Sequence, residues 1–356
     1  MSIGGNAAPV IDACLHLRSI DPLEVMEYLP AGWREYIGRP GSLGPGRGMA
    51  PLVPTPAWEH PDGGWLPQAD VGATAGRSVL CLDQSLLAGA LPNPNYGLSL
   101  ARALNEWTAE RRLDVDNDLF GLVVTPTQVP EQAATEIRRA GRNPRMVGVL
   151  LAGNGLGKPF GHPAYHPIYS AAADLELPLV IHTGTESPPN TAAHPTAGGY
   201  PSTYAEHYTL RAQPLMTHLM SLVVQGVLET YPGLKVLAVG AGMAWLPSWL
   251  WRFDSDFKAY SPRETPWLKS FPSEQVRRQV RVTTYSFRAT PDPDVFGRLL
   301  AAAPWLAEVL CFASGAPRWD ADAPETVAGA FPAAWRNKIL HGNAAGLFRW
   351  PEGSGG

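Results

Sequence analysis

The sequence predicts a (β/α)8 barrel, a single domain over residues 1–356. Three observations lead there: eight short apolar runs of strand length, amphipathic helical segments between most of them, and a chain length that one such barrel with insertions fills. The predicted strands are Val10 to Asp12, Ser78 to Leu82, Phe120 to Val124, Met146 to Leu151, Leu179 to His182, Lys235 to Val239, Val280 to Thr284 and Val309 to Ala313. Helices are predicted over Leu98 to Arg112, Pro130 to Gly141, Tyr165 to Leu175, Thr217 to Tyr231 and Pro332 to His341. An open doubly wound sheet is the alternative, but no glycine-rich phosphate turn follows the first strand.

The 36 Gly and 36 Pro are not spread evenly. They crowd residues 39–76, which reads as a long excursion over one end of the barrel, with Trp58 and Trp65 favouring a packed loop over a free linker. Residues 185–206 form a second excursion, and Asp254 to Pro272 reads as a third irregular stretch.

Composition narrows the function. A net charge of −4, with 17% charged residues and scattered Lys and Arg, gives no basic face for nucleic acid. No apolar run reaches membrane-spanning length, so a cytoplasmic protein with no membrane partner is expected. Three cysteines, Cys14, Cys81 and Cys311, lie in or beside apolar runs and argue against a disulfide framework.

The carboxyl ends of the strands carry the chemistry. In "VIDACLHL", Cys14 and His16 are separated by one residue, and alternate residues of an extended strand can face one cation. A thiolate is a good zinc ligand, although a free Cys is also often simply packed in a core. His182 ends the apolar run "LPLVIHTG", the position of a site residue in a barrel. His207 lies near the second excursion and could reach the barrel mouth, as could His194; an exposed loop His is the competing reading for each. His218 lies on a helix, where a hydrogen-bonded structural role is expected, and His162 and His166 read as packing or surface.

These runs, with "ALNEWTAERRLDVDNDLFGLVVTP", "EIRRAGRNPRMVGVLL", "HPIYSAAADLELPLVIHTG", "GVLETYPGLKV", "WLPSWLWRFD" and "KILHGNAAGLF", resemble the amidohydrolase-related family of metal-dependent decarboxylases and hydrolases. The resemblance implies a divalent metal at the barrel mouth. Its ligands would be a pair after the first strand, a His after the fifth and an Asp after the eighth. On this chain the pair falls on Cys14 and His16, where relatives carry His-x-His, Asp-x-His or Glu-x-His, and the strand-five ligand falls on His182. Two positions depart from the pattern. Gly240 stands where relatives show a His or Glu after the sixth strand, and Gly315 in "ASGAPRWDADAP" stands where the Asp belongs. Asp320 and Asp322 match loop positions around that ligand.

Glycine can neither hold a metal nor move a proton, so the resemblance with these losses implies a non-catalytic barrel with no bound zinc, or zinc bound weakly. Such a chain would act as a subunit in a homo-oligomer or a heteromer with an active relative, through a surface around Trp245, Trp249, Trp251 and Trp267, with core packing the competing reading for each. The alternative is an atypical metal-dependent hydrolase, decarboxylase or lyase acting through Cys14, His16 and His182 on a small aromatic or carboxylic substrate. In that reading His182, His207 and Arg318 bind the small molecule. Arg318 clamps its carboxylate, because a planar guanidinium pairs with both oxygens.

Overall fold

In the computed structural model the described residues are 8–16, 22–38, 76–82, 85–152, 157–183, 199, 203–287, 292–318 and 320–351. Nearly all of the excursions 39–76 and 185–206 lies outside them, as does the side chain of His207. Among the described residues no helix is long and apolar enough to cross a membrane.

Eight strands pair in chain order, each parallel to the next: β1 Ile11–Leu15, β2 Arg77–Leu80, β3 Leu119–Val124, β4 Met146–Ala152, β5 Leu179–His182, β6 Val236–Val239, β7 Val280–Thr283 and β8 Leu310–Cys311. The barrel closes between β1 and β8. There Ala13 N donates to Phe312 O at 2.9 Å and Gly315 N to Cys14 O at 3.1 Å. The buried Asp12 carboxylate fastens the same seam, accepting from Ser314 N at 2.9 Å and from the Ser314 hydroxyl.

Strand parity sorts the apolar residues into two layers. Val79 and Cys81, Phe120 and Leu122, Leu150 and Ala152, Leu237 and Val239, and Cys311 and Ala313 belong to one buried cluster, the barrel interior. The intervening residues, such as Leu80, Val123, Leu151, Ile181, Ala238 and Val282, belong to the cluster that packs against the helices. The parity that puts Val79 and Val180 inside also carries Cys81 and His182 to the inner face at the carboxyl ends of β2 and β5.

Two helix expectations are corrected. Thr217 to Tyr231 is not one helix but two, Ala212–Val224 and Val227–Thr230, interrupted at Gly226. The stretch from Asp254 to Pro272 is not irregular throughout, because the helix Trp245–Glu264 runs through its first half. Aromatic residues four apart favour that helix: Trp245 meets Trp249 with ring centroids 5.7 Å apart, and Trp249 meets Phe253 at 5.4 Å. Arg252 and Asp256 add an ion pair at the same spacing, 2.8 Å. Trp245 is thereby core and not surface, whereas Trp251 is 78% and Trp267 47% exposed.

His218 has the structural role expected of it. Buried on the helix Ala212–Val224, it stacks on Phe160 with centroids 4.2 Å apart, and its Nδ1 accepts from Phe160 N at 3.2 Å. Burial lowers its pKa to about 3, so the folded protein holds this ring neutral, while the unfolded chain protonates it near 6.5. The contribution is fully present above pH 6.5 and is lost as pH falls from there toward 3, at about 1.4 kcal/mol per pH unit. In urea unfolding between pH 7 and 5 the wild type is expected to lose more stability than His218→Asn; an equal change in the two rules out His218 as a source of the pH dependence.

Candidate metal and anion site

Four side chains converge at the carboxyl ends of β1, β2 and β5. One donor atom from each of Cys14, His16, Cys81 and His182 lies within 4.8 Å of the other three, and all four residues are buried. Cys14 Sγ is 3.4 Å from His16 Nε2, and the His16 and His182 rings meet edge to face with centroids 5.1 Å apart. His182 is oriented through its Nδ1, which bonds Thr183 O, while its Nε2 is buried with no hydrogen-bond partner among the described residues. Cys81 was invisible to motif reading because it stands alone in "VLCLD"; only the pairing of β1 with β2 brings it to Cys14.

Burial disfavours the charged forms of two of these donors. Burial pushes the Cys14 thiol well above its usual range, and the neighbouring Cys81 thiol pushes it further. Burial likewise holds His182 well below the usual imidazole range, helped by the charges of His16, Arg318 and Arg211. Two thiols and two imidazoles at this spacing fit a borderline-soft divalent ion such as zinc, which takes tetrahedral sulfur and nitrogen donors.

The two glycines have neighbours that the sequence did not foretell. A Cβ on Gly240 would lie 2.7 Å from Thr183 Oγ1 and 3.1 Å from Arg211 Nη2. A Cβ on Gly315 would overlap the ring of Tyr285. Both glycines hold positive φ, +97° and +66°, which a side chain would strain.

Tyr285, fully buried two residues beyond β7, donates its hydroxyl proton to Asp320 Oδ1 at 3.1 Å and accepts from Arg318 Nη1 at 3.3 Å. Arg211 stands on the other side, its guanidinium 5.6 Å from the Tyr285 ring centre and its Nη1 4.0 Å from Asp320 Oδ2. Burial raises the Asp320 carboxyl to about 6. Asp322 is structural, accepting from Phe287 N at 2.7 Å. Arg318 is thus beside the donor group, and Asp320 joins it through Tyr285 although its loop position alone gave no reason to expect that.

The Amidohydrolase family model matches residues 94–350, and the chain belongs to that family. The gamma-resorcylate decarboxylase of Rhodococcus jostii (strain RHA1) is 27% identical over 174 residues, 46% of this chain and 51% of that protein; a Polaromonas counterpart is 24% identical over 51% of this chain and 53% of its own length. The chain thus aligns with about half the length of these curated relatives. Among solved structures, the 5-carboxyvanillate decarboxylase of Novosphingobium aromaticivorans, bound to manganese and 4-hydroxy-3-methoxy-5-nitrobenzoic acid, superposes with a TM-score of 0.65 at 19% identity, over 96% of each chain. At that identity the likeness speaks for the fold. None of these comparisons supports the expectation of a non-catalytic subunit, since the relatives are decarboxylases.

Proposed function

We propose that this chain is a metal-dependent decarboxylase of small aromatic carboxylic acids. The observation that carries the reading is the convergence of Cys14, His16, Cys81 and His182 within 4.8 Å, beside the buried guanidinium of Arg318. The decarboxylase names of the aligned relatives support the same reaction class. Three of the four donors would hold the cation and leave it a position for substrate, where it would supply polarisation of a substrate oxygen when bound. Arg318 binds the carboxylate and fixes its plane. In the reaction the bond from ring carbon to carboxylate carbon breaks, its electron pair stays on the ring carbon, carbon dioxide leaves and that carbon takes a proton. The hydroxyl of Tyr285 delivers it and recovers a proton through Asp320.

The reading departs from the manganese of the Novosphingobium structure, because thiolates favour zinc over manganese. The test is turnover: protein purified under reducing conditions, loaded with zinc or manganese, is offered 2,6-dihydroxybenzoate and other hydroxybenzoates while carbon dioxide and the phenol are measured. Turnover with zinc, lowered about ten- to a hundredfold in Arg318→Met, is expected, since a charged hydrogen bond contributes about 1.5–3 kcal/mol. No turnover on the whole panel with either metal would refute it and favour the non-catalytic subunit.

A further inference from the structure

We infer that the groove between the helices Ala212–Val224 and Trp245–Glu264 is where a second copy of this chain docks, the two long helices crossing antiparallel about a two-fold axis. The groove, of about 310 Å³, has walls that include Met220, Trp249, Phe253 and Phe257. Four of its residues stand four apart on the long helix: Arg252, Asp256, Tyr260 and Glu264. Side chains at that spacing form a ridge, and such ridges interdigitate when two helices pack. Apolar surface is open here, since Met220 is 43% and Tyr260 59% exposed. Of the tryptophans expected at an interface, Trp249 is in the wall and Trp267 stands at the groove's end, its Nε1 donating to Val224 O at 2.9 Å.

The order of charges along the ridge decides the occupant and its direction. The ridge begins with the cation Arg252 and ends with the anion Glu264, and its midpoint is Lys258. An antiparallel copy centred there sets each chain's Arg252 against the partner's Glu264, and each Asp256 against the partner's Tyr260 hydroxyl, so every contact is made twice. A parallel copy would instead set Arg252 against Arg252 and Glu264 against Glu264, which repel. Lys258 itself turns to another side of the helix, its Nζ 5.7 Å from the centre of the Phe271 ring, so its charge stays off the axis. Arg252 donates its Nε to Asp256 at 2.8 Å, and Glu264 makes no ion pair among the described residues, so both can pair across the interface. A helix of 20 residues is about 30 Å long, close to the width of a round patch of about 800 Å², the area that each partner of a stable pair buries. Tyrosine and arginine are also the side chains that carry much of the binding energy in such patches.

The inference is independent of the decarboxylase reading, and turnover plays no part in its test. Sedimentation velocity of the full chain between about 1 and 100 µM is expected to show a monomer–dimer equilibrium. Arg252→Glu and Glu264→Arg are each expected to weaken the dimer at least about tenfold, because each sets like charges together at two places. The two changes combined restore opposite charges, and that variant should dimerise at least about tenfold more tightly than either single one. Tyr260→Ala should weaken the dimer about five- to thirtyfold. All three side chains are exposed, so the variants keep the fold, which circular dichroism checks. A wild type that is monomeric at about 100 µM, a dimer of unchanged affinity in both single charge variants, or a combined variant no tighter than the single ones overturns the two-fold docking.

Discussion

Replacing His182 by alanine is expected to weaken zinc binding by more than about a hundredfold, because loss of an outer partner of a metal ligand already costs about 10–100-fold and this change removes a ligand. His182 Nε2 is the buried donor that a cation would complete, and the ring is already aimed by its Nδ1 bond to Thr183 O. Cys14→Ala should fall nearly as far, and Cys81→Ala should fall as well, since the pair supplies the sulfur that favours zinc. Metal content after exhaustive dialysis, under reducing conditions, measures all three. A wild type holding no zinc, or a His182→Ala variant holding it as tightly as the wild type, sinks the metal assignment.

The second large effect is expected at Gly315. Placing an Asp there should destabilise the fold by about 4 kcal/mol rather than supply a metal ligand. The cost has two sources. A residue with a Cβ at φ +66° carries backbone strain of about 1–3 kcal/mol. Overpacking against the fully buried Tyr285 ring adds about 1–3 kcal/mol and breaks its bonds to Asp320 and Arg318. Urea unfolding of Gly315→Asp and Tyr285→Ala, alone and combined, checks this: the double variant should lose less stability than the sum of the two single variants, because the overlap is absent from it. A Gly315→Asp protein as stable as the wild type would show that the ring yields freely.

The barrel was legible in the sequence because eight parallel strands buried on both faces leave eight apolar runs, and Leu179–His182 forms at its expected bounds. Boundaries moved where side-chain packing overrode local composition, as in the helix through Asp254, held by its four-spaced aromatics. Cys14, His16, His182 and Arg318 could be read because each occupies a motif position. Cys81, Arg211 and Tyr285 could not, since each is brought to the mouth by its strand or helix and not by any local pattern. The two glycines were read as losses because sequence shows which side chain is missing and not which neighbour takes up the room.

The seam between β1 and β8 gives the molecule a timetable. Asp12 and Ser314 are 302 residues apart, so β1, which carries Cys14, is the first of the eight strands to be made and waits longest for its last partner. At about 5–20 residues per second, synthesis leaves that interval at roughly 15–60 s. Until then β1 keeps one backbone edge open, the kind of edge that recruits other chains. Cys14 and His16 are thus made before Cys81 and His182, yet their strand is the last to gain both of its partners. Anything that stalls the ribosome between these two residues lengthens the exposure of that first strand.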